Sequence, residues 1–149
     1  MAEMSQDFLA GLPGDLPADY GKTIRAIIRR DPRYSYQAYL FMFDALDYTQ
    51  RMMLKLRRPG CTVFHVTGRE LLEGIRRLAI KQFGYMTRTV FETWGVRGTE
   101  DFGEIVFNLV DSGLMRKTES DSREDFKGAY DFSTAFEGEA AHRKAWRLD

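Results

Sequence analysis

The chain has one cysteine, two histidines, four prolines and two tryptophans among its 149 residues. A lone cysteine, Cys61, excludes an internal disulfide and fits a reducing cytoplasm. Two histidines, His65 and His142, without a cysteine-rich cluster give no spacing of the kind that holds a structural metal. No apolar run approaches the roughly 20 residues that a membrane helix needs. The opening MAEMSQDFLAGLPGD has neither a cationic start nor a long apolar stretch, so a signal peptide is not expected. No glycine pattern suited to cradling a phosphate is present. Net charge is missing too, with 22 basic against 22 acidic residues. No cofactor is implied.

What is present suffices for one folded domain: 44% apolar and 13% aromatic residues, with no repeat or linker dividing the chain. The balanced charge hides a segregation. From Lys22 to Arg97 there are 15 Lys and Arg against 6 Asp and Glu, whereas the remainder from Gly98 has 7 against 12. A basic middle between acidic ends attracts a polyanion, or lets two copies pair as a homo-oligomer.

The patterning predicts helices. Gly11, Pro13, Gly14 and Pro17 punctuate residues 1–18, which read as a loose arm. Asp19 is placed to cap a helix carrying Ile24, Ile27 and Ile28 on one face, ended by Pro32. A second helix, Ser35 to Leu54, repeats Tyr36, Tyr39, Leu40, Phe43 and Leu46, with Phe41, Met42 and Tyr48 off that stripe, so it is expected at the centre. Cys61 to Val66 reads as a short strand. Thr67 and Glu70 form a capping box opening a third helix to about Phe83, with Gly84 as stop or kink. A fourth helix runs from Tyr85 to Trp94 and stops at Gly95. A fifth, capped by Thr99, carries Phe102, Ile105, Val106, Leu109 and Val110 and closes at Gly113.

Leu114–Glu119 and Phe126–Phe132 read as two strands of a hairpin across SDSRED, with the first strand free to join them. The expectation is therefore an α+β, mostly helical domain of about five helices. Residues 19–84 would hold the N-terminal helices and short strand, 85–136 a winged-helix-like helix-turn-helix and hairpin, and 137–149 a tail. A winged-helix DNA regulator would read bases with its second helix. Here that helix carries Glu100, Asp101, Glu104 and Asp111, and the hairpin cations Arg116, Lys117, Arg123 and Lys127 are offset by Glu119, Asp121, Glu124 and Asp125. The outline thus reads better as scaffold or protein contact than as base reader.

The sharper polyanion candidate is Arg51, Lys55, Arg57 and Arg58, extended by Arg25, Arg29, Arg30 and Arg33, or by Arg69, Arg76 and Arg77. Its partner would be an acidic protein or a nucleic-acid backbone. The opposing reading is an ion-paired surface neutralised by Asp44, Asp47 and Glu73. Tyr34, Tyr36, Tyr39, Phe41, Phe43 and Tyr48 would stack bases if exposed, but their helical spacing fits a core. Cys61 and His65, four residues apart on a strand, make a conceivable nucleophile–base pair, with burial the simpler account. Asp44 with Asp47, or Glu70 with Glu73, stand at a spacing that would share a cation, though without histidine partners. No convincing active site emerges, and a non-enzymatic interaction module is the expectation.

Three stretches, YSYQAYLFMFDALDYTQ, HVTGRELLEGIRRLAIKQFG and WGVRGTEDFGEIVFNLVDSGLMRKTESDSREDFKGAYDFSTAF, together resemble the Verruco-Plancto-restricted conserved hypothetical proteins. The resemblance spans about Tyr34 to Phe136. It implies a bacterial, cytoplasmic protein and carries over no activity, cofactor or catalytic residue.

Overall fold

The computed structural model describes residues 2–3, 18–56 and 66–136. Five helices of seven residues or more lie among them: α1 (Ala18–Arg30), α2 (Tyr36–Leu56), α3 (Gly68–Phe83), α4 (Thr87–Thr93) and α5 (Thr99–Asp111). A four-residue helix, α6 (Phe132–Ala135), follows. Single 3₁₀ turns occupy Gly84–Met86 and Arg123–Phe126. No described helix is long and apolar enough to cross a membrane.

α2 is the central helix, as its double-sided apolar pattern predicts. It packs along α3 and also meets α1 and α5. Tyr39, Phe41, Met42, Phe43, Ala45 and Leu46 are all buried, so it has no broad solvent face through its middle. Its closest neighbour is α3: a Cβ added at Gly74 would stand 1.8 Å from Thr49 Oγ1, so only glycine lets the two backbones approach this far. One continuous cluster of buried residues runs from Ile24 on α1 through α2, α3 and α5 to Phe136.

Local signals explain most helix ends. At α3 the predicted capping box is present: the Glu70 N–H donates to Thr67 Oγ1 (3.1 Å) and the Thr67 N–H to Glu70 Oε1 (2.9 Å). α4 ends in a Schellman arrangement, with Val96 N–H bonding Phe91 O (2.8 Å) and Gly95 N–H bonding Glu92 O (3.0 Å). α5 ends the same way, through Leu114 to Leu109 and Gly113 to Val110. Two caps differ from expectation. Asp19 lies inside the first turn of α1 rather than before it. Thr99 is also inside α5; Gly98 precedes it, and Asp101 takes the N–H groups of Arg97 (2.8 Å) and Gly98 (3.1 Å).

The expected wing is the main correction. Arg116–Lys117 forms a two-residue strand, β2, but it pairs antiparallel with Ala2–Glu3, β1, with Ala2 opposite Lys117. Phe126–Phe132 is no strand: it leaves a 3₁₀ turn and enters α6. The reason is competition for backbone groups. The Thr99 hydroxyl donates to Phe126 O (2.6 Å) and accepts from Ala129 N–H (3.2 Å), while Glu100 accepts from Gly128 N–H (2.8 Å). α5 thus captures the groups a hairpin ladder would use. The predicted Cys61–Val66 strand lies outside the described residues except for Val66, which is buried.

Candidate functional site

α1 owes its position to its apolar side. Ile24 and Ile27 are fully buried, Tyr20 and Ile28 half-buried, and the Tyr20 ring lies 5.9 Å from that of Phe43. The four positions recur at the spacing of one helix face. The opposite face is therefore left to solvent, and it is occupied by Asp19 in the first turn and then by Lys22, Arg25, Ala26, Arg29 and Arg30.

A polar network holds the C-terminal end of α1 and the turn after it against α5. Arg33 forks onto Asp31 through Nε (2.8 Å) and Nη2 (2.7 Å) and reaches Glu104 (3.5 Å). Asn108 Nδ2 donates to Asp31 Oδ2 (3.0 Å) and to the Tyr39 hydroxyl (3.1 Å), and the Tyr34 hydroxyl donates to Asp101 (2.5 Å). The Arg33 guanidinium, helped by Asn108 and opposed by burial, holds the Asp31 carboxyl well below the usual carboxylate range. Burial pushes the Tyr34 and Tyr39 hydroxyls up, so both stay protonated as donors or bridges. The network is a clamp that orients α1.

Among the described residues, pairing separates the cations of α1 from most others. Arg33 sits on Asp31, Arg51 on Asp47 (3.0 Å), Arg76 and Arg77 on Glu73 (2.6 and 2.9 Å), Arg88 on Glu92 (3.1 Å), Arg123 on Glu104 (3.6 Å) and Lys127 on Glu124 (2.8 Å). Lys22, Arg25, Arg29 and Arg30 pair with no carboxylate among the described residues. Arg25 instead lies 5.4 Å over the Tyr36 ring, and Arg30 donates to Ser112 Oγ (3.4 Å). Among the described residues, Arg69 on α3, Arg97 in the turn before α5 and Lys117 on β2 also pair with no carboxylate, but they lie far apart in the chain.

The sequence-derived set therefore divides. Arg25, Arg29 and Arg30 share one exposed face, and Lys22, which that set omits, completes it. The signal for Lys22 was its spacing, three residues before Arg25 and seven before Arg29. Arg51 is exposed but paired, and the backbone of Lys55 belongs to α2 while its side chain lies outside the described residues, as do Arg57 and Arg58 entirely. Arg76 is buried and, with Arg77, committed to Glu73, so neither extends a patch. Glu73 is pushed up by burial, but the two arginines outweigh this and hold it down.

The other sequence candidates have structural employment. Tyr34, Tyr39, Phe41 and Phe43 are buried, and Tyr36 and Tyr48 half-buried, so the aromatic set is core rather than a stacking surface. Of the acidic pairs, Asp47 and Glu73 hold arginines and Glu70 belongs to the cap. No group of three metal-ligating side chains occurs among the described residues. Cys61 and His65 lie outside them.

Asp44 is the exception among the carboxylates. Its Oδ1 is buried without a hydrogen-bond partner. Burial, with the neighbouring Asp47 charge, pushes its pKa from 3.8 to about 6. A raised carboxylate pKa means the folded protein binds an extra proton, so stability falls as pH rises from about 4 to 6 and the penalty is complete above that. Asp44→Asn should therefore stabilise the protein at pH 7 by about 2 kcal/mol, allowing for partial solvent access, and change little near pH 4. Thermal melts of both proteins at the two pH values check this; equal effects at both would remove the electrostatic cause.

In comparison with known proteins, the chain matches no family model, and no curated protein or solved structure is similar enough to match it.

Proposed function

We propose that this protein is a non-enzymatic interaction module whose basic α1 face, Lys22, Arg25, Arg29 and Arg30, contacts an acidic partner. The observation carrying this reading is four exposed cations on one helix that pair with no carboxylate among the described residues, whereas Arg33, Arg51, Arg76, Arg77, Arg88, Arg123 and Lys127 each hold one. Such a face keeps its positive field, whereas Arg51 or Arg88 has its own cancelled locally. Arg29 and Arg30 also complement the C-terminal end of the α1 dipole, but Lys22 and Arg25 lie too early in the helix for that role. The single cysteine supports a cytoplasmic setting, and the resemblance to the Verruco-Plancto family supplies a bacterial one.

The rival, a winged-helix regulator reading bases with α5, is disfavoured by burial. Phe102, Gly103, Ile105, Val106, Phe107, Asn108 and Leu109 are all buried, and the exposed residues of α5 are Glu100 and Asp111. A helix covered on most sides and acidic on the rest does not enter a major groove.

Cation-exchange chromatography at pH 7 tests the proposal. The protein should be retained on a sulfonate resin despite a formal net charge of zero. Arg25→Glu/Arg29→Glu should emerge in the flow-through, while Arg88→Glu/Arg123→Glu, an equal charge change elsewhere, should remain bound. Equal loss in both variants would show that net charge rather than this face governs retention, and would overturn the reading.

A further inference from the structure

We infer that the partner of the α1 face is the phosphate backbone of duplex nucleic acid, bound without reading sequence; this deepens, and rests on, the interaction-module reading above. The discriminating observation is what the face lacks. Beyond Asp19 in the first turn, its exposed residues are Lys22, Arg25, Ala26, Arg29 and Arg30, so the single apolar side chain is one methyl group. Specific protein–protein contacts centre on desolvated aromatic or aliphatic anchors, with charges thinned out at the core of the patch. This face offers no such anchor. Phosphate-backbone binding needs none, because released counterions supply nearly all of its free energy.

Geometry and residue type agree. Lys22 to Arg30 spans about 12 Å of helix axis. A duplex presents one phosphate per about 1.7 Å of its axis, counting both strands, so a face of this length meets several backbone charges. Three of the four are arginines, whose planar fork suits phosphate oxygens better than an ammonium does. The Tyr36 ring beneath Arg25 and the Ser112 hydroxyl beside Arg30 hold two of those forks in place. The nearby carboxylates bound the footprint: Asp19 lies one turn before Lys22 on α1, and Asp111 beside Ser112 is exposed. Nothing on the face carries an exposed ring to stack on a base, so single-stranded sequence readout has no platform.

The test is fluorescence anisotropy of the full chain with a labelled mixed-sequence duplex and, separately, with labelled poly-L-glutamate. Four phosphate contacts predict duplex affinity about 100-fold weaker at 200 mM than at 50 mM salt. That affinity should not vary between duplex sequences, and Lys22→Glu/Arg25→Glu/Arg29→Glu, with its helical content checked by circular dichroism, should lose it. If poly-L-glutamate binds through the same three residues and the duplex does not, the duplex inference falls while the acidic-partner reading stands. If neither ligand binds, both fall. Duplex binding that survives the triple substitution overturns the assignment to α1.

Discussion

Phe91→Ala should destabilise the protein by about 3–5 kcal/mol, the loss typical of a deleted core ring. Phe91 is fully buried, and five rings surround it: Phe41 at 5.6 Å, Trp94 at 5.7 Å, Phe102 at 5.2 Å, Phe132 at 5.8 Å and Phe136 at 5.2 Å. The contacts to Phe41, Phe102 and Phe136 are edge-on, which adds to the area term. Its position in the chain magnifies the effect. α4 has only seven residues, too few to persist unaided, and through Phe91 it docks at once on α2, α5 and α6. The hole left by truncation would be walled by rigid rings that cannot collapse into it. A thermal melt should show a fall of about 10 °C or more for a chain of this length. A loss of about 1 kcal/mol or less would mean that the ring cluster closes up and Phe91 is not its centre.

Gly95→Ala should cost about 3 kcal/mol or more, from two sources that add. The first is conformation: Gly95 has φ +92°, a region that an L side chain rarely adopts. The second is space, since an added Cβ would stand 2.1 Å from Arg33 O. That oxygen belongs to the backbone of the turn between α1 and α2, which Ser35 N–H binds to Trp94 O (3.1 Å) and which the Asp31–Arg33 fork stiffens. It cannot swing aside as a side chain would. Gly113→Ala separates the two terms, because Gly113 has φ +81° with nothing within 4 Å of an added Cβ. That variant should lose about 1 kcal/mol, the conformational part alone. Equal losses in urea denaturation would show that the close approach at Gly95 is relieved by movement of the turn. Because this turn also seats the end of α1, Gly95→Ala should weaken whatever binds the basic face.

Several features of this protein were determined by its sequence alone. The Ile24, Ile27 and Ile28 spacing, the two-sided apolar pattern of α2, the Thr67–Glu70 box and the glycines after α4 and α5 act within one or two helical turns, so neighbours in sequence are neighbours in space. The i, i+4 pairs Asp47–Arg51 and Glu73–Arg77 belong to the same class. What tertiary structure decided involves partners distant in the chain. The alternation around Tyr130 and Phe132 satisfies a strand equally well, but the ring cluster drew Phe132 and Phe136 inward at helical spacing, and Thr99 and Glu100 took the backbone groups a hairpin needed. Arg33 was withdrawn from the basic face by Asp31 and, 71 residues away, Glu104. The number of cations was written in the chain, but which of them kept their charge for a partner was settled by where the carboxylates came to rest after folding.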